Sequence, residues 1–199
     1  MNYPESLQKL IESFRLLPGV GEKSAQRYAF SVLEMDKDAV NEFSTCIKSV
    51  KNNLNACKIC GCLCEDDHCM ICENSNRSNK QLCVVETQKN VFLFEKTGFF
   101  NGKYHVLGGL ISPMDGINPE DIAIKTLITR IKNDLVEEII LALQPGIEGD
   151  TTALYITKIL QGFDVKVTKI AHGIPIGADM EYIDALTLEM ALENRSEVS

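Results

Sequence analysis

Residues 57–72 read CKICGCLCEDDHCMIC and contain six cysteines but almost no large apolar side chain. Two Cys-x-x-Cys pairs bracket the segment, Cys57 with Cys60 and Cys69 with Cys72. Each pair can turn two thiolates toward one point, and four thiolates fit tetrahedral Zn²⁺ at Zn–S distances of about 2.3 Å. The spacing therefore predicts one structural zinc ion per chain. The alternatives are unpaired thiols or a redox-active pair.

The other four cysteines do not fit this pattern. Cys62 and Cys64 have no matching partner across the loop, so we expect neither to bind the metal. Cys46 and Cys83 lie on predicted apolar faces and are expected to be small core residues. Because the loop has no apolar core of its own, metal binding is expected to supply its folding energy.

The chain before this loop has helical periodicity. Three apolar stripes with spacings of 3 and 4 predict helices over residues 7–17, 25–33 and 40–54. Pro18 and Gly19 end the first helix, and the third is predicted to begin near Asp36.

After a polar linker at residues 74–80, short apolar runs alternate with helical periods. The predicted strands cover residues 82–86, 104–110, 137–144 and 164–170, and the predicted helices cover 122–131, 152–160 and 181–192. This alternation favours a mainly parallel sheet with helices on its faces. The fold class is therefore multi-element α+β, with N-terminal helices, a small four-cysteine zinc finger, an α/β domain and a C-terminal helical segment.

The turn between the first two predicted helices is a candidate phosphate site. Gly19 and Gly21 leave backbone N–H groups bare at the N-terminus of the second helix, where a phosphate can dock. Lys23 and Arg27 are four residues apart on one helical face and add positive charge there. The alternative is an ordinary helical corner without a ligand.

The formal net charge of -8 argues against a polyanionic partner for the chain as a whole, but the charge is unevenly distributed. Residues 1–80 hold ten Lys and Arg against eleven Asp and Glu, whereas residues 81–199 hold ten against seventeen. A local nucleic-acid surface in the N-terminal part is therefore compatible with the composition. Lys58 and Arg77 are the next basic candidates if Lys23 and Arg27 do not contact DNA.

Two observations bear on location. No apolar run approaches the roughly 20 residues that span a bilayer. The first ten residues also lack the basic and apolar regions of a secretory signal. We expect a cytoplasmic protein without membrane contact.

Six motifs together resemble the RecR family of bacterial recombination mediators. They are residues 17–27 (LPGVGEKSAQR), the four cysteines with Arg77, and residues 82–86, 108–122, 141–153 and 171–188. The resemblance implies a helix-hairpin-helix segment over residues 1–55, a zinc finger with linker over 56–80, a Toprim domain over 81–172 and an oligomer-contact segment over 173–199.

The resemblance also implies a function. Members of the family form ring-like oligomers, expected here as a dimer or tetramer, and bind single-stranded and duplex DNA. They work with RecO, and in many bacteria with RecF, to load the recombinase onto single-stranded DNA at gaps. A nucleoid-associated cytoplasmic protein is expected, and its DNA affinity as a single subunit should be weak.

The Toprim resemblance separates enzyme from non-enzyme. In catalytic Toprim proteins a Glu ends one strand and an Asp-x-Asp ends a later one. Glu86 matches the first element, but the two aspartates would fall on Gln144 and Gly146, with Glu148 just beyond. We therefore expect no catalytic activity and a partner-binding surface that includes Glu86 and Glu148. The alternatives are a Toprim-type metal-dependent DNA enzyme or a zinc-ribbon adaptor that binds only protein, which the charge of -8 would favour.

Overall fold

The computed structural model describes residues 3–171 and 173–195, and the chain divides after Leu54 into two compact units. The first unit contains helices α1 (Glu5–Arg15), α2 (Glu22–Glu34) and α3 (Lys37–Asn53). The finer boundaries within the second unit, at residues 80 and 172, stay predictions.

Helices α1 and α2 pack through one apolar stripe each, as the periodicity predicts. Leu7 and Ile11 of α1 are buried against Ala25 and Ala29 of α2. The two alanines are fully buried and allow the helix axes to approach closely. This packing fixes the turn at residues 16–21 that carries the candidate phosphate site.

Helix α3 begins where the sequence predicts, because the Asp36 carboxylate accepts a hydrogen bond from the Ala39 N–H at 2.8 Å. None of its residues is buried, although Phe43, Ile47 and Val50 form an apolar face. Cys46 is exposed on the same helix, so the expectation that it is a core residue is wrong.

The second unit is built on a four-stranded parallel sheet, which confirms the predicted fold class. Its strands are β3 (Gln81–Val85), β4 (Lys103–Val106), β5 (Glu138–Ala142) and β6 (Lys166–Lys169), in the spatial order β4-β3-β5-β6. The intervening helices are α5 (Gln88–Glu95), α6 (Ile124–Asn133) and α7 (Ile147–Leu160). Helix α5 is absent from the sequence prediction.

Alternate residues of the central strand face two separate cores. Leu82 and Val84 belong to the cluster that α6 and α7 cover. Cys83 and Val85 point to the opposite face and contact a second cluster, so the expectation that Cys83 is a core residue is correct. Helices α6 and α7 cover one face of the sheet, and helix α5 with the cysteine-rich segment covers the other.

The cysteine-rich segment forms a finger, defined here as residues 55–73. It consists of a short antiparallel pair, β1 (Asn55–Ala56) with β2 (Leu63–Cys64), followed by helix α4 (Met70–Glu73).

The finger packs against edge strand β4. The Val106 N–H donates to the Cys60 carbonyl oxygen at 2.8 Å, and Lys103 Nζ donates to the Cys72 carbonyl oxygen at 3.0 Å. The finger cysteines share an apolar cluster with Val91 and Tyr104. The sequence predicted a loop without an apolar core. In the structure the finger shares an apolar core with the neighbouring sheet, so that expectation is wrong.

The linker after the finger is held by a part-buried ion pair. The Arg77 guanidinium donates two hydrogen bonds to the Glu95 carboxylate and a third to the Gly102 carbonyl oxygen. The Tyr104 hydroxyl donates to the same carboxylate at 2.8 Å. The side chains of Arg77 and Glu95 are only 15% and 26% exposed, so Arg77 is not available as a DNA contact.

The predicted C-terminal helix is shorter than expected. A 3-10 turn at Met180–Tyr182 precedes helix α8 (Ala185–Glu193), because the Asp184 side chain accepts from the Thr187 N–H and caps the helix there. No residue of α8 is buried. None of the helices in the described residues combines the length and apolar character that crossing a bilayer requires.

We expect Arg77→Ala to lower the free energy of unfolding of the second unit by about 2 to 3 kcal/mol, because it leaves a part-buried carboxylate without its cation. The control is Lys80→Ala, which removes an ion pair with Glu137 whose side chains are 67% and 65% exposed and should cost less than about 1 kcal/mol. Urea denaturation of both variants measures the difference. Equal losses would contradict the assignment.

Candidate metal centre and nucleic-acid interface

Four cysteine sulfurs converge inside the finger. The Sγ atoms of Cys57, Cys60, Cys69 and Cys72 all lie within 4.8 Å of one another, and all four residues are buried. The Cys60 and Cys69 sulfurs are 3.5 Å apart. A tetrahedral ion with four metal–sulfur bonds of about 2.3 Å requires sulfur separations of about 3.8 Å. The cluster could therefore hold a metal ion, and its all-sulfur donor set is consistent with zinc.

Backbone N–H groups support negative charge on these sulfurs. The Cys62 N–H donates to Cys60 Sγ at 3.4 Å, and the Cys69 N–H donates to Cys57 Sγ at 3.3 Å. Hydrogen bonds to the ionised form of a group favour that form. One of these N–H groups lies two residues after the first pair and the other belongs to the first cysteine of the second pair, and both favour the thiolate form that binds a cation.

The sulfurs cannot all ionise without that cation. Hydrogen bonds shared with Cys69 and Cys72, together with burial, raise the pKa of the Cys60 thiol. A metal ion reverses this effect, because binding displaces the thiol protons.

Cys62 and Cys64 are not among the four clustered sulfurs, and that neither binds the metal stays a prediction. The Cys64 thiol donates to the Asp66 carbonyl oxygen at 2.9 Å. Burial raises the pKa of the Cys62 thiol to about 11, which keeps it protonated. His68 is exposed in the same loop and does not join the cluster.

The turn between α1 and α2 has the open geometry that a phosphate requires. Gly19 has a φ of +79°, a left-handed conformation that favours glycine, and Gly21 is the N-cap of α2. A Cβ atom at either glycine would meet nothing within 4 Å. Val20 packs against the α1–α2 core and holds the turn in place.

Lys23 and Arg27 both lie exposed on α2, four residues apart. Within the described residues neither forms an ion pair, and the Arg27 guanidinium lies over the Tyr28 ring at 5.4 Å. The structure thus exposes both cations on the first two turns of α2, Lys23 two residues and Arg27 six residues after Gly21. Their contact with DNA stays a prediction.

A cavity of about 290 Å³ lies at the carboxyl ends of β3 and β5. Glu86 and Glu148 both line it, together with Asp115. Gln144 and Gly146 line the same cavity, at the positions where the resemblance would place aspartates. Sequence reasoning missed Asp115, although it lies within the quoted motif at residues 108–122.

The wall of this cavity is held by a close backbone approach. A Cβ atom on Gly149 would lie 1.9 Å from the Gln144 carbonyl oxygen, so only glycine fits there. Helix α7 therefore starts directly against the end of β5. The backbone therefore determines the shape of the cavity, whichever side chains occupy positions 144 and 146.

Three protein-family models match the chain. The model described as RecR, helix-hairpin-helix, matches residues 7–51, and the model described as RecR, C-terminal, matches residues 173–196. The model described as Toprim domain matches residues 80–171, which include the parallel sheet and the strand-end cavity.

We expect Cys57→Ser, Cys60→Ser, Cys69→Ser and Cys72→Ser each to lower the metal content of the purified protein, because each removes one of four converging donors. The matched controls are Cys62→Ser and Cys64→Ser, which should retain the metal. Elemental analysis of the six variants, beside thermal unfolding, tests the set. Equal metal loss in the controls would overturn the ligand assignment.

Proposed function

We propose that this chain, which belongs to the RecR family, is a non-catalytic DNA-binding mediator of recombinational repair. The family matches support a role in recombination and repair. The observation that carries the DNA-binding part is the pair of exposed, unpaired cations, Lys23 and Arg27, beside the open turn at Gly19 and Gly21 within the described residues.

In this proposal the turn binds the DNA backbone. The bare N–H groups at the start of α2 receive a phosphate, and the two side chains add charge-assisted contacts to the same or the next phosphate. Two cations per chain give weak affinity. Oligomers multiply it, because several turns then engage one DNA strand.

We propose that the metal is zinc, one structural ion per chain, held by the four clustered cysteines. Four thiolates in a closed, buried site suit a structural zinc ion and leave no open coordination position. The ion's role is then to fix the finger on strand β4.

We propose an oligomer in which exposed apolar surfaces are covered. Phe43, Ile47 and Val50 on α3 are between 44% and 59% exposed, and α8 exposes Leu186 and Leu192. Such surfaces favour association with a second copy. A homo-oligomeric ring, a dimer or tetramer, fits both segments.

The proposed partners are RecO and, where the cell has it, RecF, and the proposed task is loading the recombinase onto single-stranded DNA at gaps. The proposed partner surface is the strand-end cavity with Glu86 and Glu148. In a non-catalytic protein these two carboxylates are free to bind a partner. The proposed location is the bacterial cytoplasm, in association with the nucleoid.

A Toprim-type metal-dependent DNA enzyme is the second candidate. It is favoured by the three carboxylates that line the strand-end cavity, Glu86, Asp115 and Glu148. Against it, Gln144 and Gly146 stand where catalytic Toprim proteins have aspartates, so the usual Mg²⁺ ligands are missing.

We expect Lys23→Ala combined with Arg27→Ala to weaken DNA binding and to make the dependence of log K on log salt shallower by roughly 1 to 2 units per bound subunit, because two phosphate contacts no longer release counterions. The control is Lys48→Ala with Lys51→Ala, which removes the same charge from exposed positions on α3. Salt titrations of DNA binding, with and without the RecO-type partner, compare both with wild type.

Helicity and oligomer size should be unchanged in both double variants. If the Lys23 and Arg27 variant binds DNA as the wild type does, this turn is not the main DNA site. If the wild type binds only the RecO-type partner and no DNA, the protein-only adaptor is correct.

We expect the purified protein with Mg²⁺ or Mn²⁺ neither to nick, to relax nor to prime DNA, because the cavity lacks both aspartates. Plasmid and primer-extension assays across several preparations measure this. An activity that follows the protein through purification and disappears in Glu86→Gln would establish the enzyme instead.

A further inference from the structure

A polar cleft of about 390 Å³ lies within the second unit, between the finger and helix α6. We call it the finger–α6 cleft. Three cationic side chains line it, those of Lys58, Lys103 and Arg130, against one carboxylate, that of Asp134. Two of the cations are in ion pairs, Lys58 with Asp67 and Arg130 with Asp134, and Lys103 forms no ion pair within the described residues.

The cations of the cleft keep unused hydrogen-bonding capacity. Lys103 Nζ donates one hydrogen bond, to the Cys72 carbonyl oxygen, and an ammonium group has three donors. Arg130 Nε donates to Asp134 and Nη1 donates to the Tyr104 carbonyl oxygen, so its Nη2 group has no partner in the described residues.

Lys58 is the most accessible of the three cations. It pairs with Asp67 at 2.6 Å, but both side chains are about two-thirds exposed. An ion pair so exposed to water contributes little and is easily exchanged for another anion. The Lys58 ammonium group can therefore leave Asp67 and bind an anion in the cleft.

Neutral donors complete the lining. The exposed side-chain amides of Asn79 and Asn133 have no hydrogen-bond partner within residues 3–171 and 173–195. Lys, Arg and Asn side chains are the groups that proteins use to contact phosphate and sugar. Ile59 is the one apolar side chain among those lining the cleft. The cleft therefore lacks the apolar anchor residues that a peptide partner needs.

We propose that the finger–α6 cleft is a second binding surface for the sugar-phosphate backbone of DNA. It rests on the proposed DNA-binding function and extends it from the turn in the first unit to the second unit. It also gives the metal centre a part in binding. Lys58 directly follows the ligand Cys57, and Lys103 donates to the carbonyl of the ligand Cys72, so the folded finger positions two of the three cations.

The test makes the cleft more negative at two exposed positions and leaves Lys103 and Arg130 unchanged. The cleft variant combines Lys58→Gln with Thr129→Glu, since Thr129 is exposed on α6 and lines the cleft. The control variant combines Lys89→Gln with Thr157→Glu, which makes the same charge change at exposed positions on α5 and α7. Binding of the full chain to labelled single-stranded DNA is measured by fluorescence anisotropy across a salt series.

The cleft variant should bind DNA roughly tenfold more weakly than wild type, with a salt slope shallower by about 1, because a lost phosphate contact releases fewer counterions. The control variant should stay within about twofold of wild type. Metal content and circular dichroism report folding. Should the double change disturb either, the single change Asn133→Asp, at an exposed position of α6, gives the same comparison.

Three outcomes overturn the inference. If the cleft and control variants bind DNA equally while the Lys23 and Arg27 variant loses binding, the cleft alone is wrong and the proposed function stands. If the wild type binds no DNA, both fail. If inorganic phosphate or a Glu-rich peptide binds the wild type but not the cleft variant, while DNA binding is unchanged, the cleft serves another anion.

Discussion

Four cysteine sulfurs within 4.8 Å of one another can all carry negative charge only if a cation lies among them. This requirement links the metal centre to the rest of the second unit. The cysteines share one apolar cluster with Cys83, Val85 and Tyr104, and the finger backbone is hydrogen-bonded to strand β4. A change in the charge of the cluster therefore alters the packing of the finger on the sheet. The sheet in turn holds the sulfurs close together.

Periodicity and spacing predicted most of the fold. The apolar runs around residues 82–86 and 137–144 became the two central strands, because fully buried parallel strands are apolar on both faces. The four metal-ligand candidates were identified from spacing alone, because two Cys-x-x-Cys pairs limit the geometry strongly. The start of α3 followed from the capping preference of Asp36.

The features that the sequence did not reveal depend on tertiary contacts. Helix α5 was not predicted, because its apolar residues do not form one stripe. Val91 is its one buried residue, whereas Phe92 and Leu93 are exposed. The core of the finger could not be predicted from its own sequence, since the sheet and helix α5 supply its apolar side chains. Lys103 and Arg130 lie on different elements, and no local pattern relates two cations that only the folded sheet brings together.

Strand β4 lies at one edge of the sheet, and edge strands expose backbone groups that can pair with other chains. The Val106 N–H on this edge is occupied by the carbonyl of Cys60. The finger thus covers this edge as well as forming the candidate metal site. If the finger unfolded, the edge of β4 would be exposed, and the molecules would then be open to aggregation by strand pairing.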